Sequence, residues 1–256
     1  MRPLGETQRR HGWTVRGLLL PGFGAEIARL AQFRADDWVA AVMREMAALR
    51  ATHSGVLLAG YSLGGALAIQ AAATAQPDAL ALIAPFWRFE AGWRGRLLPA
   101  LTRLFPIFRP FQQADFADPG VQRMVRKFLP EADLADPEIQ AAIRHVSVPT
   151  AALDELRRAG WAAYRAASAI QCRVLIVQGA RDEIARPEWT RRLAGRFTAP
   201  VVYHEVPADH DLLSPGEPAW PAIEAVVLDF AARLRWPDSR GPVGPEGTGE
   251  TDDGRL

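Results

Sequence analysis

The strongest constraint on the fold is Ser62, which stands at the centre of the sequence Gly-Tyr-Ser-Leu-Gly at positions 60–64. The apolar run 56–59 precedes this motif, and an alanine-rich segment typical of a helix follows it. A strand, a sharp turn and a helix in this order form a nucleophile elbow, whose strained turn holds the serine hydroxyl clear of the backbone. Because glycine has no β-carbon, Gly60 and Gly64 are expected where the strand and the helix pass closely. The motif therefore predicts a nucleophilic Ser62 at the end of a buried strand.

Further strand and helix patterns alternate along the chain. Apolar runs predict strands at 15–20, 79–84, 173–177 and 200–206. Helical periodicity predicts helices that begin at Asp36 and near Pro187, and one over 221–234. Strands that alternate with helices predict an α/β fold, in which helices cover both faces of a mostly parallel sheet.

The stretch 86–169 interrupts this alternation. Aromatic residues and prolines crowd its first part, and helix starts follow at 118–119, 136–137 and 149–150. No strand pattern occurs within it, so the sequence predicts a helical cap over 86–169, inserted into a core of residues 1–85 and 170–236. Residues 237–256 are rich in glycine, proline and acidic residues, which predicts a disordered tail.

The composition argues against several classes of protein. The formal net charge is +1, and 29 of the 30 basic residues are arginines spread along the chain, so no field favours nucleic acid or a membrane surface. No apolar run is long enough to span a membrane, and the first ten residues lack the apolar centre of a signal peptide. A cytoplasmic location is therefore expected. A single cysteine, Cys172, excludes a disulfide framework, and nothing indicates an oligomeric state.

A serine hydroxyl becomes a nucleophile when an imidazole takes its proton and a carboxylate orients the imidazole. In open parallel sheets, reactive groups gather beyond the carboxyl ends of the strands. Asp182 follows the strand predicted at 173–177, and His210 follows the strand predicted at 200–206. The sequence therefore predicts a catalytic triad of Ser62, Asp182 and His210, with Glu183 as the alternative acid.

Metal and nucleotide chemistry have no support in the sequence. No cluster of histidines and carboxylates has the spacing of zinc ligands, so no metal site is expected. No glycine-rich phosphate-binding motif occurs either, so no nucleotide cofactor is expected.

Three motifs, at residues 60–65, 178–183 and 209–212, together resemble the α/β-hydrolase superfamily, and within it the bacterial carboxylesterase and monoacylglycerol lipase branch. The stretches 12–24 and 36–38 are similar to that branch as well, and the resemblance covers residues 4–236. It implies hydrolysis of a small-molecule carboxylic ester through an acyl-serine, without a cofactor, and the backbone N–H of Leu63 as one of two oxyanion donors. Thioester or lactone hydrolysis on the same triad is the alternative.

Aromatic residues at the start of the predicted cap are candidates for an apolar substrate pocket. Phe86 and Trp87 are the first of them, and the alternative is that they only pack the cap on the core. No cluster of basic residues marks a site for an acidic substrate, so an uncharged ester is expected. The further pocket candidates are Arg88, Phe89, Trp93, Leu97, Leu98, Leu101 and Phe105.

The chain departs from the family pattern before Ser62. Relatives carry an oxyanion loop after an early strand, whereas the turn 21–24 is separated from the nucleophile strand by a single helix. The resemblance therefore predicts a chain truncated at its N-terminus, without the early strand and the second oxyanion donor. Loss of one such donor costs about 10²–10³ in rate, so a catalytically weak hydrolase is expected. The alternative is that Phe23 supplies the second N–H in a shortened fold.

Overall fold

A parallel sheet forms the centre of the fold in the computed structural model, which describes residues 1–88, 107–128, 132–214 and 216–234. The strands are β1 (Leu57–Tyr61), β2 (Ala79–Ile83), β3 (Ile107–Phe108), β4 (Val148–Pro149), β5 (Arg173–Gly179) and β6 (Val201–Val206). The helices are α1 (Arg2–Arg10), α2 (Ala35–Arg50), α3 (Leu63–Ala75), α4 (Pro119–Phe128), α5 (Pro137–Arg144), α6 (Thr150–Ala166), α7 (Pro187–Ala194) and α8 (Trp220–Ala232), with 3-10 helices at Gly24–Gln32 and Ala167–Ala169.

The sheet has the strand order β1-β2-β5-β6, and all neighbouring strands are parallel. Parallel neighbours require crossover connections, and helices provide them between successive strands of this sheet. The carboxyl ends of all four strands consequently lie along one edge, where the turns that carry Ser62, Asp182 and His210 begin. The prediction of an α/β fold with a parallel sheet is confirmed.

Helices cover both faces of the two central strands, as the sequence predicts. Every residue of β2 is fully buried, as are all residues of β5 after its first. On one face, Ile83 and Val177 pack in a cluster with residues of α8. On the other face, Leu82 and Ile176 pack with residues of α3, α6 and α7. The central strands therefore lie within the core, and their ends provide a rigid platform for the site.

The strand predicted at 15–20 is wrong. The structure assigns no strand to these residues, and the side chains of Leu18 and Leu19 are 40% and 68% exposed. A strand exists only with a hydrogen-bonded neighbour, and among the described residues β1 pairs with β2 alone. An apolar run indicates the local tendency to form a strand, but it does not supply the partner.

The three helix starts predicted within 86–169 are confirmed as α4, α5 and α6. Asp136 caps α5, because its Oδ1 accepts a hydrogen bond of 2.8 Å from the Glu138 N–H. The expectation that no strand occurs in this stretch is wrong, since β3 and β4 form a two-residue antiparallel pair. This pair joins positions that are distant in sequence, and runs this short carry no periodicity.

Two parts of the stretch 86–169 pack differently. Gln70 of α3 donates a 3.0 Å hydrogen bond to the Ala159 carbonyl of α6, which ties α6 to the core. A separate side-chain cluster lies within 107–146, and its buried members are Phe116, Val125, Leu134 and Ile143.

The division of the chain into a core and a cap stays a prediction. The predicted disordered tail, residues 237–256, lies outside the described part of the chain.

Candidate active site

Ser62 occupies the turn between β1 and α3 in a strained backbone conformation, with φ 51° and ψ −119°. A positive φ in a residue other than glycine costs free energy and persists only where the surroundings enforce it. Four backbone hydrogen bonds do so here. The Ser62 N–H donates to the Ile83 carbonyl at 3.0 Å, and the Ser62 carbonyl accepts from the N–H groups of Gly65, Phe86 and Ala66 at 2.9, 3.0 and 3.3 Å. The turn is the elbow that the motif predicts.

The two motif glycines have different roles. A β-carbon on Gly60 would lie 2.4 Å from the Gly64 carbonyl oxygen, so only glycine fits there. A β-carbon on Gly64 would meet no atom within 4 Å, so the close approach there involves the Gly64 carbonyl, and the expectation that Gly64 must lack a β-carbon is wrong. Gly65 is the second tight position, because its β-carbon would lie 3.0 Å from Pro85. Helix α3 therefore lies against Pro85 at Gly65, whereas the Gly64 α-carbon faces open space.

Asp182 lies on the turn after β5, and its side chain is fully buried. Its Oδ1 accepts the backbone N–H groups of Ile184 and Ala185, both at 2.8 Å. Its Oδ2 is 2.8 Å from Nδ1 of His210 and 3.1 Å from Nε2 of Gln178. Four donors therefore hold the carboxylate in one orientation. Glu183, the alternative acid, is exposed.

His210 joins the carboxylate to the serine. It lies in the loop after β6 and is 8% exposed, and its Nε2 is 2.9 Å from the Ser62 Oγ. An ionised carboxylate accepts hydrogen bonds and donates none, so the contact with Asp182 assigns the imidazole proton to Nδ1. Nε2 is then left as the acceptor for the serine hydroxyl. The structure brings together the three side chains of the predicted triad in the order that nucleophilic catalysis requires.

The loop that carries His210 is fastened to the end of β5. The Arg181 N–H donates to the Ala208 carbonyl at 3.0 Å, and the Arg181 guanidinium donates to the Pro207 carbonyl at 2.7 Å. Gly179 permits this approach, because a β-carbon there would lie 2.3 Å from the Asp209 carbonyl oxygen. The turns that hold the candidate acid and the candidate base therefore form one unit.

Sequence reasoning missed Gln178, the fully buried residue four positions before Asp182. Its side-chain N–H₂ group lies 3.1 Å from the Gly179 carbonyl oxygen, 2.8 Å from the Ala185 carbonyl oxygen and 3.1 Å from the Asp182 carboxylate. All three are acceptors, so only the donor end of the amide can face them. Its Oε1 has no partner among the described residues. The sequence signal that could have identified Gln178 is a polar side chain at the end of an otherwise apolar, buried strand.

Sequence reasoning also gave no role to Tyr61, the last residue of β1. Its hydroxyl donates a 2.9 Å hydrogen bond to the backbone carbonyl of His210. The Tyr61 ring lies beside the imidazole, with 5.4 Å between the ring centroids and a tilt of 31°. Burial raises the pKa of the Tyr61 hydroxyl above its ordinary value, and the negative charges of Asp211 and Asp182 raise it further.

One candidate oxyanion donor lies next to the serine. Leu63 is the first residue of α3, where a backbone N–H has no acceptor within the helix, and no acceptor contacts it among the described residues. The positive end of the helix dipole lies at the same point. The N–H of Phe23, the alternative donor, is engaged in another hydrogen bond, because it donates to the Leu20 carbonyl at 3.1 Å. That N–H is therefore hydrogen-bonded within the turn and is not available to an oxyanion.

Of the three pocket candidates that the structure describes, Phe86 and Trp87 are buried, whereas Arg88 is half-buried and its guanidinium lies 5.5 Å from the centroid of the Trp189 ring. Phe86 lies beside the elbow through the bond from its N–H to the Ser62 carbonyl. The Trp87 ring stacks on Tyr164 of α6 at 4.3 Å, and its indole N–H donates to the Trp189 carbonyl of α7 at 2.8 Å. These are the contacts of a side chain that packs helices together, as the alternative predicts for Trp87. The candidates at 89–105 lie outside the described residues.

Basic residues gather in one cleft, whose lining also includes Asp36 and Glu155 and none of the three triad residues. The cleft of about 580 Å³ lies between α2, α3 and α6. Positions 158 and 165 lie two helical turns apart on one face of α6, a spacing that the sequence already contained. Asp154 and Glu155 form ion pairs with two of these arginines and so neutralise part of the charge. The four arginines of the cleft are Arg34, Arg157, Arg158 and Arg165.

No group of three or more His, Cys, Asp or Glu side chains is placed to hold a metal ion among the described residues. Within the same ranges, none of the helices combines the length and the apolar character that a membrane span needs.

Comparison with known proteins agrees with this fold. The chain resembles a solved metagenome-derived lipolytic enzyme of the LipS and LipT pair, with a TM-score of 0.67 and 22% identity over 90% of this chain and 86% of that chain. It also resembles the monoacylglycerol lipase of Paleococcus ferrophilus, with a TM-score of 0.51 and 18% identity over 77% and 76%. No curated protein sequence matches it. The sequence profile of the serine aminopeptidase S33 hydrolases matches residues 2–211, and the chain therefore belongs to this family of α/β-hydrolases.

Proposed function

We propose that the protein hydrolyses carboxylic esters through an acyl-serine intermediate on Ser62. The observation that carries the proposal is the hydrogen-bonded chain from the Ser62 Oγ through the His210 imidazole to the Asp182 carboxylate, with distances of 2.9 and 2.8 Å. The strained turn presents the hydroxyl at the edge of the sheet, and the Gly64 α-carbon beside it faces open space. An acyl carbonyl has room to approach the serine from that side.

In the first half of the reaction, Nε2 of His210 takes the hydroxyl proton as Oγ of Ser62 attacks the acyl carbonyl carbon. The carbonyl π electrons move onto its oxygen, and the N–H of Leu63 stabilises that oxyanion. The oxyanion then collapses, the bond to the alcohol oxygen breaks, and the imidazolium returns its proton to the leaving alcohol. Asp182 stabilises the imidazolium throughout and keeps the ring in the required orientation.

In the second half, a water molecule replaces the alcohol. His210 takes a proton from the water, the hydroxide oxygen attacks the acyl-serine carbonyl, and a second oxyanion forms against the same N–H. Its collapse releases the carboxylic acid and returns the proton to Ser62. Every atom is accounted for by ester and water, so the mechanism needs no cofactor.

A slower version of the same enzyme is the second candidate, and the oxyanion donors favour it. The Leu63 N–H is available, whereas the Phe23 N–H is engaged within its own turn. Among the described residues this leaves one identified donor where two are usual, and the loss of one donor costs about 10²–10³ in rate. We therefore expect turnover of activated esters that is measurable but well below that of a complete site.

The test compares the wild-type protein with Ser62→Ala on p-nitrophenyl esters of increasing acyl length, together with covalent labelling by a fluorophosphonate. The wild type is expected to label and to release p-nitrophenol, and Ser62→Ala to do neither. Ser168→Ala is the matched control, because Ser168 is an exposed serine whose hydroxyl bonds only the Arg165 carbonyl. Retained turnover in Ser62→Ala, or equal loss in the control, would refute the assignment.

The substrate panel also separates ester hydrolysis from other acyl transfers on the same triad. It contains a thioester, a lactone, a monoacylglycerol and an amino-acid p-nitroanilide, the last because the family description names a serine aminopeptidase. Higher kcat/KM for the uncharged oxygen esters supports the proposal. A preference for the thioester, the lactone or the anilide would show that the proposed substrate class is wrong, but it would leave Ser62 assigned as the nucleophile.

A further inference from the structure

We propose that Tyr61 is a positioning residue that holds the His210 imidazole in line with the Ser62 hydroxyl. The inference rests on the proposed function and deepens it, because it concerns the same site. Its basis is the 2.9 Å hydrogen bond from the Tyr61 hydroxyl to the His210 carbonyl and the close approach of the two rings.

The topology explains why such a tie is needed. Ser62 follows β1 and His210 follows β6, and β2 and β5 lie between these two strands. Neighbouring strands are about 4.8 Å apart, so the two turns begin roughly 14 Å from one another. The loop after β6 must therefore return across the edge of the sheet to bring the imidazole to Oγ. Its position there decides whether the proton can be transferred.

The fastenings already described hold this loop on the far side of the gap. Arg181 binds the loop backbone at Pro207 and Ala208, and Asp182 binds the imidazole; both residues follow β5. Leu212, two residues after His210, is fully buried in the core cluster. The hydrogen bonds of Arg181 and Asp182 set the position of the loop relative to β5, which is two strands away from β1. A hydrogen bond to the strand that carries Ser62 has to come from another residue.

Tyr61 provides that contact directly, because it is covalently joined to Ser62. The Tyr61 hydroxyl binds the His210 backbone, the His210 side chain binds Oγ of Ser62, and the peptide bond between residues 61 and 62 completes a closed ring of contacts. A movement of the His210 backbone away from Ser62 must stretch the bond to Tyr61 as well. The neighbouring tyrosine ring also restricts rotation of the imidazole about its side-chain bonds.

The hydroxyl is suited to this role because a carbonyl oxygen can only accept. Tyr61 must therefore stay protonated to hold the loop, and the raised pKa of its hydroxyl keeps it so across the pH range in which an esterase is assayed. A phenylalanine at this position preserves the ring and its packing and removes only the donor. Tyr61→Phe is consequently a clean test of the hydrogen bond.

The experiment compares Tyr61→Phe with Tyr203→Phe, a matched control. Tyr203 also makes one hydroxyl hydrogen bond, of 2.9 Å to the Glu205 carboxylate, but both residues lie within β6. Tyr61→Phe is expected to lower kcat for a p-nitrophenyl ester about three- to ten-fold, the effect of losing one hydrogen bond, with KM changed less than about twofold. Tyr203→Phe should leave both unchanged. Unchanged kcat in Tyr61→Phe, a rise in KM alone, or an equal loss in the control overturns the proposal.

A second measurement does not depend on turnover. The Nδ1 proton of His210, shared with Asp182, gives a far-downfield proton resonance when the ring is held in place. Tyr61→Phe is expected to broaden this resonance through faster exchange with water, while Tyr203→Phe leaves it sharp. A resonance of wild-type sharpness in Tyr61→Phe overturns the inference. If the wild type neither labels nor turns over, the proposed function fails, and this resonance still decides whether Tyr61 positions the imidazole.

Discussion

Adding one methyl group at either end of the elbow should change stability in opposite directions. In Gly60→Ala, the new β-carbon would lie 2.4 and 2.6 Å from the Gly64 carbonyl oxygen and carbon, and 2.7 Å from the Gly65 α-carbon. All three atoms are backbone, so they cannot move without displacing the turn at Ser62. Overpacking a core costs about 1–3 kcal/mol, and a clash with fixed backbone belongs at or above the upper end of that range. We expect Gly60→Ala to lower the free energy of unfolding by about 3 kcal/mol or more.

Gly64→Ala makes the same chemical change four residues away without a clash. The added β-carbon meets no atom within 4 Å, and the position is the second residue of α3. Alanine is favoured over glycine within a helix by about 0.5–1 kcal/mol, because glycine loses more backbone entropy on folding. We therefore expect Gly64→Ala to raise the free energy of unfolding by up to this amount.

Urea denaturation followed by far-ultraviolet circular dichroism measures both effects on the same scale. The two variants are expected to differ by about 4 kcal/mol, the sum of the clash and the gain in helix propensity. Fluorophosphonate labelling reports whether Ser62 keeps its geometry in each variant. The reasoning fails if Gly60→Ala unfolds within about 1 kcal/mol of the wild type, or if Gly64→Ala is destabilised as much as Gly60→Ala.

Two further predictions concern single side chains. In Asp182→Asn, the side-chain amide N–H₂ group takes the place of a carboxylate oxygen and faces groups that are themselves donors, so the imidazole proton moves from Nδ1 to Nε2. We expect kcat for a p-nitrophenyl ester to fall by about 10³–10⁴. A loss under tenfold would contradict the role of Asp182 in orienting His210. Burial raises the pKa of the Cys172 thiol to about 11, so its thiolate is scarce at pH 8 and becomes abundant only near that value. Alkylation of Cys172 by iodoacetamide, followed by intact-chain mass spectrometry, should be far slower at pH 8 than alkylation of a small free thiol and should accelerate toward pH 11. A rate at pH 8 equal to that of the free thiol would refute the raised pKa.

The central sheet and the triad could be predicted because each depends on a local pattern and a general rule. Ser62 was identified from a motif between a strand and a helix, and Asp182 and His210 from the rule that reactive groups follow the carboxyl ends of parallel strands. The helix starts at 119, 137 and 150 carry local signals, since proline lies in or beside the first turn. Such signals need no knowledge of which elements become neighbours.

The missed features depend on the path of the chain in three dimensions. Tyr61 and Gln178 both lie within motifs, but the acceptor of Tyr61 is 149 residues away, and the acceptors of Gln178, although within seven residues, are brought together by a turn whose path the sequence does not specify. The apolar run at 15–20 has the composition of a strand, and only the tertiary fold determines that no partner meets it. The Gly64 prediction failed for a related reason, because the motif does not reveal which side of the helix faces the preceding strand.

The separate side-chain cluster of residues 107–146 has a consequence for how the protein responds to heat. Four buried side chains remove too little apolar surface from water to order that whole segment unaided. Its order therefore depends on anchorage to the larger body, through the short β3–β4 pair and the start of α6. On warming, this segment should loosen first, while the buried platform beneath Ser62, Asp182 and His210 stays intact. Early loosening and survival of the chemistry are thereby assigned to different parts of one chain.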